Sequence, residues 1–536
     1  MLESQSSSSC SDLDLVSCED ERVQVLENGS IGLVYTNRGN DELSLKRFNL
    51  TSIGNENISS NCSYPERISR GETVYITCQA SDDRVLVGNE RASLNYEAEF
   101  YKTSLGEQST VLSKGSARAT VSSTPPLPED YESEPTDTTT VLGEMQGDGT
   151  GSNPYVITNS QELQAMKEDI SANYILGNNI PASGTSSWNG GNGFSPVGSS
   201  SPFTGSLDGQ GYSVQGLHID SSNERIGLFS QTDGATIQNL ALTNLDITGQ
   251  KSVGGLIGVS DNSVVQNIDA NGDITGTGDN VGMVIGYSYN DVSDITVSGT
   301  VQGTNYIGGV VGVHRGNMNN AQATTTVTGS QAVGGITGYA YQAGTLSNID
   351  YDGSVEATVE WAGGISGAHY GGNLENATIS GSVVSANGAG GVTSIFQGGY
   401  TESVKNTAAV TGQDFVGGLL GQLNTGSTLR DSVNHGDVDG DYAVAGIVGG
   451  NDGSIETSYS TGLITGNNNV GGLVGRNPSG TTSNSYWDTQ SSSQTTSAGG
   501  TGLTTNQMQG TNAETNMTGF DFTNTWRTTS SYPELR

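Results

Sequence analysis

The sequence predicts an all-β protein: a parallel β-helix, a solenoid of about 27-residue coils, preceded by a small β-sandwich domain. Three observations support this class. A glycine-rich hexapeptide recurs ten times at a nearly fixed spacing, short stretches of alternating apolar and polar residues follow the copies, and glycine is dense, at 78 of 536 residues. Dense glycine disfavours helices, whereas short alternating stretches broken by Gly, Asn and Asp are typical of strands and tight corners.

Residues 1–122 are predicted to form a separate, disulfide-containing β-sandwich. Six alternating stretches lie between Arg22 and Val121, separated by turn signals such as Asn28-Gly and Arg70-Gly-Glu. Six or seven short strands in roughly 100 residues are typical of an immunoglobulin-like sandwich.

All four cysteines, Cys10, Cys18, Cys62 and Cys78, lie in this module. Their spacing matches no zinc-binding template. An even number confined to one small domain predicts two disulfides and an oxidising, extracellular environment, with four free buried thiols as the alternative. Three pairings are open, of which Cys62–Cys78 with Cys10–Cys18 closes the shortest loops.

Four Asn-x-Ser/Thr sequons crowd into the same module, at Asn28, Asn49, Asn57 and Asn61, and predict a glycosylated exterior. No apolar run is long enough to span a membrane, and the first residues do not have the pattern of a signal peptide. We therefore expect an export or anchoring segment to precede residue 2 in the full-length protein.

Residues 123–150 are rich in proline, acidic residues and threonine, which predicts an extended acidic linker. Residues 151–225 are predicted to hold a short helix and the first coils of the β-helix. The helix would begin with Ser160 as its N-cap and cover the open end of the apolar stack, because an uncovered coil exposes a sheet edge.

Residues 226–476 hold the ten copies, which run from Ile226-Gly-Leu-Phe to Val470-Gly-Gly-Leu-Val-Gly. Successive copies start 27, 28, 26, 26, 29, 27, 27, 28 and 26 residues apart. Such a period predicts a solenoid, in which each unit buries its apolar face against its neighbours. Each coil has room for three short strands and three corners, and ten coils would stack to roughly 45–50 Å at the usual strand separation.

Equivalent positions in stacked coils are predicted to form ladders. The buried aliphatic ladder comprises Leu256, Val284, Val310, Ile336, Ile365, Val392, Leu419, Ile447 and Leu473. Asparagine and aspartate suit corners because they tolerate the left-handed backbone conformation. The predicted polar corner ladder comprises Asn239, Asn267, Asp294, Asn320, Asn348, Asn376, Asn406 and Asp431.

Residues 477–536 depart from the repeat and are predicted to form a C-terminal cap. Phe520, Phe522, Trp526 and Tyr532 are expected to cover the second end of the stack.

The repeated Val-Gly-Gly-Leu-Val-Gly pattern, with the entry segment 147–158 and the exit Ser485-Tyr-Trp-Asp, resembles the GLUG-repeat, right-handed parallel β-helix proteins of bacterial and archaeal surfaces. This resemblance covers about residues 145–536 and implies a surface adhesin or structural protein, without specifying an activity. Segments 35–43 and 68–78 resemble the head of archaeal pilin-like surface proteins. That second resemblance implies attachment to a pilus or membrane through a preceding hydrophobic helix.

The chain is strongly acidic, with 56 Asp and Glu against 20 Lys and Arg, a net charge of −36 and only six lysines. This balance excludes a nucleic-acid-binding function, which needs a basic surface. The acidity favours a halophilic source, where carboxylates keep a protein hydrated at high salt, over a general contribution to solubility.

Aromatic residues cluster beside the glycine motif of several central coils. Aromatic rings stack on sugar faces, so a glycan-binding stripe is predicted, with packing at the coil corners as the alternative. The stripe comprises Tyr287, Tyr289, Tyr339, Tyr341, Trp361 and Tyr370, and His369 accompanies it.

No catalytic set emerges from the pattern. The few basic residues of the coils do not recur beside paired acids, and the four histidines occupy unrelated repeat positions. The segment Asp437-Val-Asp-Gly-Asp441 is a candidate calcium ligand set, but it lacks the spacing of a full calcium loop and is more simply an acidic corner. We therefore expect no enzyme activity, no cofactor and no metal site.

The sequence as a whole predicts an extracellular adhesin or structural surface protein of a halophile, with a glycan or protein on another cell as its partner. Two alternatives remain open. One is a polysaccharide lyase or hydrolase of the β-helix class, and the other is a viral tail fibre or spike, which would form a trimer.

Overall fold

The computed structural model describes residues 134–135, 137–342 and 344–536 in full and the backbone of nine strands between residues 22 and 122. The chain divides into two compact units, Met1–Glu129 and Asp130–Arg536.

The N-terminal unit is a sheet of nine strands in which one pair, Arg22–Leu26 with Thr110–Ser122, is parallel and the others are antiparallel. All six predicted stretches are strands. The register sets Cys62 directly opposite Cys78 on neighbouring strands, whereas Cys10 and Cys18 lie outside the described residues. The disulfides and the pilin-like character of this unit stay predictions. The strands are Arg22–Leu26, Ser30–Thr36, Leu43–Ile53, Glu56–Asn57, Ser60–Ser63, Arg67–Ile68, Thr73–Ala80, Arg91–Lys102 and Thr110–Ser122.

The second unit confirms the predicted all-β class: a parallel β-solenoid of about ten turns with about 27 residues per turn. Each repeat contributes one strand to a parallel ten-stranded sheet, formed by the residues that follow the paired glycines. The strands of this sheet are Phe229–Asp233, Ile257–Asp261, Ile285–Ser288, Val311–His314, Thr337–Tyr341, Ser366–Tyr370, Thr393–Gln397, Leu420–Leu423, Val448–Asn451 and Val474–Arg476.

The remaining walls of the coils form a second, continuous parallel sheet. In the central coils one long strand bends around the corners instead of breaking into separate short strands. The strands of this sheet are Tyr155–Ile157, Asn173–Leu176, Ile180–Pro181, Ser206–Asp208, Ser213–Gln215, His218–Asp220, Thr236–Gly249, Val253–Gly254, Val264–Gly276, Val281–Gly282, Val292–Gln302, Asn305–Gly308, Met318–Gly334, Thr345–Gly363, Asn373–Ser385, Ala389–Gly390, Gly399–Asn406, Ala409–Thr411, Asp414–Gly417, Ser427–Arg430, Val433–Asn434, Val438–Asp439, Tyr442–Ala445, Ser454–Glu456, Tyr459–Ser460, Ile464–Thr465, Asn468–Gly471, Thr481–Ser483, Tyr486–Asp488 and Thr501–Leu503.

The predicted aliphatic ladder is confirmed. All nine of its residues are fully buried, and the backbone N–H of each of the first eight donates to the carbonyl of its counterpart one coil further along, beginning with Leu256 to Val284 and ending with Ile447 to Leu473. Burying such a side chain contributes about 1.5–3 kcal/mol. The ladder therefore provides a continuous apolar axis for the stack.

The corner ladder is confirmed except at one position. Seven of the eight predicted residues have a positive φ between 45° and 58°, but the left-handed residue at the seventh of these positions is Ser403, not Asn406. Asn406 lies three residues further on and is fully buried, where its Nδ2 donates to the carbonyl oxygen of Gly418 and to Oδ1 of Asn434. This coil has a serine at the corner position, so the prediction based on asparagine placed the corner three residues too late.

The segment before the first coil holds two short helices. Thr138–Glu144 is helical although residues 123–150 were predicted to be extended, because the Asp137 side chain accepts from the backbone N–H groups of Thr139 and Thr140. The predicted helix spans Ser160–Ala165, and its N-cap is Asn159 rather than Ser160. A 3-10 turn, Met166–Glu168, continues it, and a kinked 3-10 segment spans Ser183–Gly191. Leu163 and Met166 are buried in the main core, as expected for a segment covering the first coil.

The aromatic residues of the C-terminal segment do not cover the end of the main core, contrary to the prediction. Phe520 and Trp526 form a second cluster with Tyr459 and Tyr486, and the Trp526 indole donates to Asp431. The last coil of the main core is instead covered by Trp487, whose indole donates to the Gln494 carbonyl. Two helices, Thr505–Met508 and Thr511–Asn516, and a hairpin, Trp526–Arg527 with Glu534–Leu535, complete the segment.

Candidate functional site

The candidate site lies on the outer face of the ten-stranded sheet. Alternate residues of its strands are buried, as in the column of Ser288, His314, Ala340 and His369, which lies inside the coils. Because successive side chains of a strand point to opposite faces, the residues on either side of this column face outward. The outward residues form two neighbouring columns along the stack.

Tyrosine occupies five of the eight positions of these two columns over four consecutive coils. One column contains Tyr287 and Tyr339, separated by Val313. In the other column, Tyr289, Arg315, Tyr341 and Tyr370 follow one another in successive coils. We call these residues, together with Tyr306, the tyrosine–arginine patch.

The rings of the patch are in mutual contact. Ring centroids of Tyr287 and Tyr289 are 4.7 Å apart, and those of Tyr339 and Tyr341 are 5.7 Å apart with nearly parallel planes. Tyr339 also lies 5.6 Å from Tyr370 and 5.2 Å from Tyr306, so it is the centre of the patch. The rings thus form two groups, Tyr287 with Tyr289 and Tyr339 with Tyr306, Tyr341 and Tyr370; Tyr289 is exposed and the other rings are half-buried.

Arg315 lies between two of these rings. Its guanidinium carbon is 5.3 Å from the Tyr289 ring centre and 4.7 Å from that of Tyr341, which is the geometry of a cation–π contact on both sides. Its Nε is buried and makes no hydrogen bond within the described part of the chain, and no described carboxylate forms an ion pair with it.

Burial shifts the tyrosine hydroxyls of the patch. It raises the pKa of Tyr287 to about 12, and it also raises the pKa of Tyr339 and of Tyr370. These hydroxyls therefore stay protonated and remain able to donate hydrogen bonds at neutral and mildly alkaline pH.

Five of the six predicted stripe residues meet in the patch. Tyr306 was missed, because it precedes the Ile307 glycine motif instead of following it; its left-handed backbone, with φ of 62°, turns the chain at the corner beside Tyr339. His369, which was grouped with the stripe, is fully buried and stacks on Phe396 inside the coil. His369 and Tyr370 are consecutive residues of one strand, and consecutive side chains of a strand point to opposite faces, so only one of the two can face outward.

Trp361, the sixth stripe residue, lies in a separate cleft of about 210 Å³. It occupies the left-handed corner position just before its glycine motif, as Phe415 does two coils further on. The cleft is lined by these two rings and by polar side chains that include the carboxylates of Glu360 and Asp414. An aromatic wall and an acid pair therefore share one depression.

The remaining predicted site residues do not converge. Asp437 accepts a hydrogen bond from the backbone N–H of Leu463 and Asp441 accepts one from Asn467, so both carboxylates bind the next coil. Among the described residues, no three His, Cys, Asp or Glu side chains group as ligands of a metal ion. No described helix is long and apolar enough to cross a membrane. Asn28 lies outside the described residues, and Asn49, Asn57 and Asn61 are on strands whose side chains are likewise not described.

Comparison with known proteins gives two sequence matches. Residues 152–272 match the family model of the M26 IgA1-specific metallo-endopeptidase N-terminal region. A protein of Haloquadratum walsbyi named halomucin is 38% identical over 161 residues. That alignment covers 28% of this chain but only 2% of the length of halomucin.

Two solved structures are distantly similar. One is a Bacteroides ovatus protein assigned as an immunoglobulin A1 protease, with 16% identity, a TM-score of 0.32 and coverage of 75% of this chain and 98% of the other. The other is the catalytic domain of a GH87 α-1,3-glucanase in complex with nigerose, with 9% identity, a TM-score of 0.28 and coverage of 91% and 92%. Neither alignment is close enough to compare individual residues.

The prediction that the chain is not an enzyme is wrong. The family model that matches residues 152–272 describes the N-terminal region of a metallo-endopeptidase, so this type of region occurs in at least one family of enzymes. The prediction relied on the lack of a repeated acid–base pattern at matching coil positions. A single cleft needs no repetition, because residues of different coils and columns meet there, as Glu360, Trp361 and Asp414 do.

Proposed function

We propose that this chain is a surface or secreted protein of a halophile, which attaches to glycans through the tyrosine–arginine patch. The solenoid supplies a rigid scaffold, and the patch supplies an aromatic surface on its side. The single observation that carries the proposal is the cluster of six tyrosine rings across consecutive coils, whose two groups are joined by one arginine.

The halophilic and extracellular parts of the proposal rest on composition and on the relative. A net charge of −36 with six lysines is the balance expected of a protein that works at high salt. The relative from Haloquadratum walsbyi bears the name halomucin, which supports a surface or secreted location. Placement of Cys62 opposite Cys78 on paired strands is compatible with a disulfide and an oxidising environment.

The glycan part rests on the shape and chemistry of the patch. Sugar rings present flat C–H faces that stack on aromatic rings, and their hydroxyls need hydrogen-bond partners at the edges. The patch offers both, because its rings adjoin one another over several coils and the hydroxyls of Tyr287, Tyr339 and Tyr370 are protonated. A surface of this length fits an oligosaccharide better than a single sugar.

The test is a glycan array with the full chain at about 2 M salt, where the acidic protein is screened, combined with light scattering to measure its mass. Tyr339→Ala removes the central ring and is expected to abolish binding. Tyr212→Ala removes an exposed tyrosine outside the patch and serves as the matched control. Equal binding by Tyr339→Ala and the wild type would overturn the proposal, and a stable trimer without binding would favour the viral fibre instead.

We propose glycoside hydrolysis at the Trp361 cleft as a second candidate function. Glu360 and Asp414 each lie two residues before their own glycine motif and two coils apart, with Asn387 at the same position between them. Two coils correspond to roughly 9–10 Å between backbones, close to the carboxyl separation of about 6.5–9.5 Å used by inverting glycosidases. Trp361 and Phe415 would hold the sugar ring.

This second function is tested by the release of new reducing ends from a panel of polysaccharides. Glu360→Gln and Asp414→Asn are expected to abolish release, whereas Asp437→Asn, which changes an acid outside the cleft, is expected to leave it intact. Release that persists in the Glu360→Gln, Asp414→Asn double variant would rule out this acid pair.

A further inference from the structure

We infer that the tyrosine–arginine patch selects sugars that bear a carboxylate, and that Arg315 binds this carboxylate. The inference deepens the proposed glycan-binding function and depends on it. It starts from the charge of Arg315, which has no counter-charge among the described residues.

Among the described Lys and Arg residues, Arg430 and Arg527 form an ion pair with a described carboxylate and the others, Arg315 included, do not. Arg430 is the natural comparison, because it too lies against a tyrosine ring. Its guanidinium lies 4.7 Å from the ring centre of Tyr400, much as Arg315 lies against Tyr341, but it also pairs with Glu402 at 2.8 Å.

Arg315 has the same cation–π contact, repeated on two sides, but no anion. The positions around it in the two outward columns are held by tyrosine, valine and alanine, not by Asp or Glu. Two rings fix the side chain in place, and its Nε is buried without a hydrogen-bond partner. The arginine is thus held in one orientation with its donors incompletely used.

A carboxylate is the anion that fits this arrangement. The planar guanidinium fork binds a planar carboxylate through two parallel hydrogen bonds, and a rigidly held arginine loses little entropy in doing so. At high salt, long-range attraction is screened, so selectivity requires direct contact of this kind. The neighbouring tyrosines would stack on the ring that carries the carboxylate, which identifies a uronic acid or another acidic sugar as the ligand class.

The experiment compares a uronic-acid oligosaccharide with its methyl ester, which keeps the sugar rings and removes the charge. Dissociation constants are measured by calorimetry with the full chain at fixed high salt. We expect the wild type to bind the acid at least about tenfold more tightly than the ester, the usual order for a charge-assisted bidentate contact. Arg315→Gln is expected to bind both forms equally, at the affinity of the ester.

Two further variants separate charge recognition from structural support. Arg315→Lys keeps the charge but loses the fork, and is expected to retain only part of the preference. Arg430→Gln removes an arginine that already has a carboxylate partner and is expected to retain all of it. Melting temperatures of each variant verify that the solenoid is folded.

The outcomes distinguish the two proposals. Equal binding of acid and ester by the wild type, or an unchanged preference in Arg315→Gln, overturns the inference while glycan binding stands. A preference for a sulfated sugar over the uronic acid also overturns it, because the anion would then not be a carboxylate. Failure to bind acid, ester and every neutral sugar of the array overturns both proposals.

Discussion

Acidification should destabilise the solenoid through two histidines that lie inside it. His314 and His369 are fully buried, and neither ring makes a hydrogen bond to another described residue. Burial lowers the pKa of each from 6.5 to about 4, and each imidazole is therefore neutral in the folded protein down to that pH. In the unfolded chain both histidines take up a proton below about pH 6.5.

The sign and size of the change in folding stability follow from this difference in pKa. Between pH 6.5 and 4 the unfolded state binds more protons than the folded state, so stability falls as the pH falls through this range. From pH 8 to pH 5 the loss is about 2 kcal/mol for one histidine and about 4 kcal/mol for the pair. Below pH 4 both states are protonated and the loss reaches its limit.

The matched variant is the double change His314→Leu, His369→Leu. The same inward column holds Ala340, Phe396 and Leu423, so it accommodates apolar side chains, leucine included, without a change of register. Urea unfolding is followed by tryptophan fluorescence at pH 8 and pH 5 in one constant salt concentration. All four tryptophans lie beyond residue 130, so the signal reports on the solenoid unit.

The double variant should lose about 4 kcal/mol less than the wild type between the two pH values. Other titrating groups are the same in both proteins. The Asp246 carboxylate raises the pKa of His218. The pKa of Asp208, which accepts hydrogen bonds from Gln210, Asn239 and Gln238, is lowered, so this group makes the stability of both proteins fall with acidification. Their effects cancel in the comparison. Equal losses in the two proteins would refute the reasoning, since the buried imidazoles would then be protonated or hydrated in the folded state.

Three further predictions concern backbone and charge. Gly338→Ala should destabilise the solenoid by about 2–4 kcal/mol, because a Cβ would lie 2.2 Å from the Tyr306 carbonyl carbon. Gly143→Ala, in an open helical position, should instead stabilise by about 0.5–1 kcal/mol. Equal urea midpoints of the two variants would contradict this prediction. Ser403→Asn should stabilise the solenoid by about 0.5–1 kcal/mol, because asparagine suits the φ of 56° at this position and completes the corner ladder. Ser403→Val should destabilise it, because a β-branched residue is disfavoured at positive φ. If the valine variant were the more stable of the two, the assignment of Ser403 to the corner ladder would be refuted. The melting temperature should fall as salt is removed, since the charge of −36 is then unscreened, and a melting temperature independent of salt would contradict a halophilic origin.

The repeat made the solenoid predictable in detail. A hexapeptide spaced by about 27 residues sets the length of a coil, and equivalent positions must then stack. The aliphatic ladder and most corner residues follow from this constraint alone. The errors occurred where a coil departs from the pattern: Ser403 replaced an expected asparagine, and the C-terminal residues after the last copy had no register to follow.

The segments before and after the repeat were harder to predict because they are not periodic. Asp137 starts a helix in a segment whose composition suggested an extended linker, since one side chain can satisfy two backbone donors irrespective of composition. Phe520 and Trp526 are apolar enough to cover either the end or the flank of the stack. Their contacts with Tyr459 and Tyr486 decided for the flank.

By itself, the sequence determined the class of fold, the length of the coil, its buried ladder and the acidic character of the surface, because all four depend on residue type and spacing. It also indicated that tyrosines cluster beside the glycine motif. Only the tertiary structure decided that Tyr306 and Arg315 join these tyrosines, that His369 points inward, and that Trp361 lies apart in a cleft with Glu360 and Asp414. Tyr306 and Arg315 are 9 positions apart in the chain and Glu360 and Asp414 are 54 apart, and it is the stacking of coils at about 4.8 Å that brings such residues together.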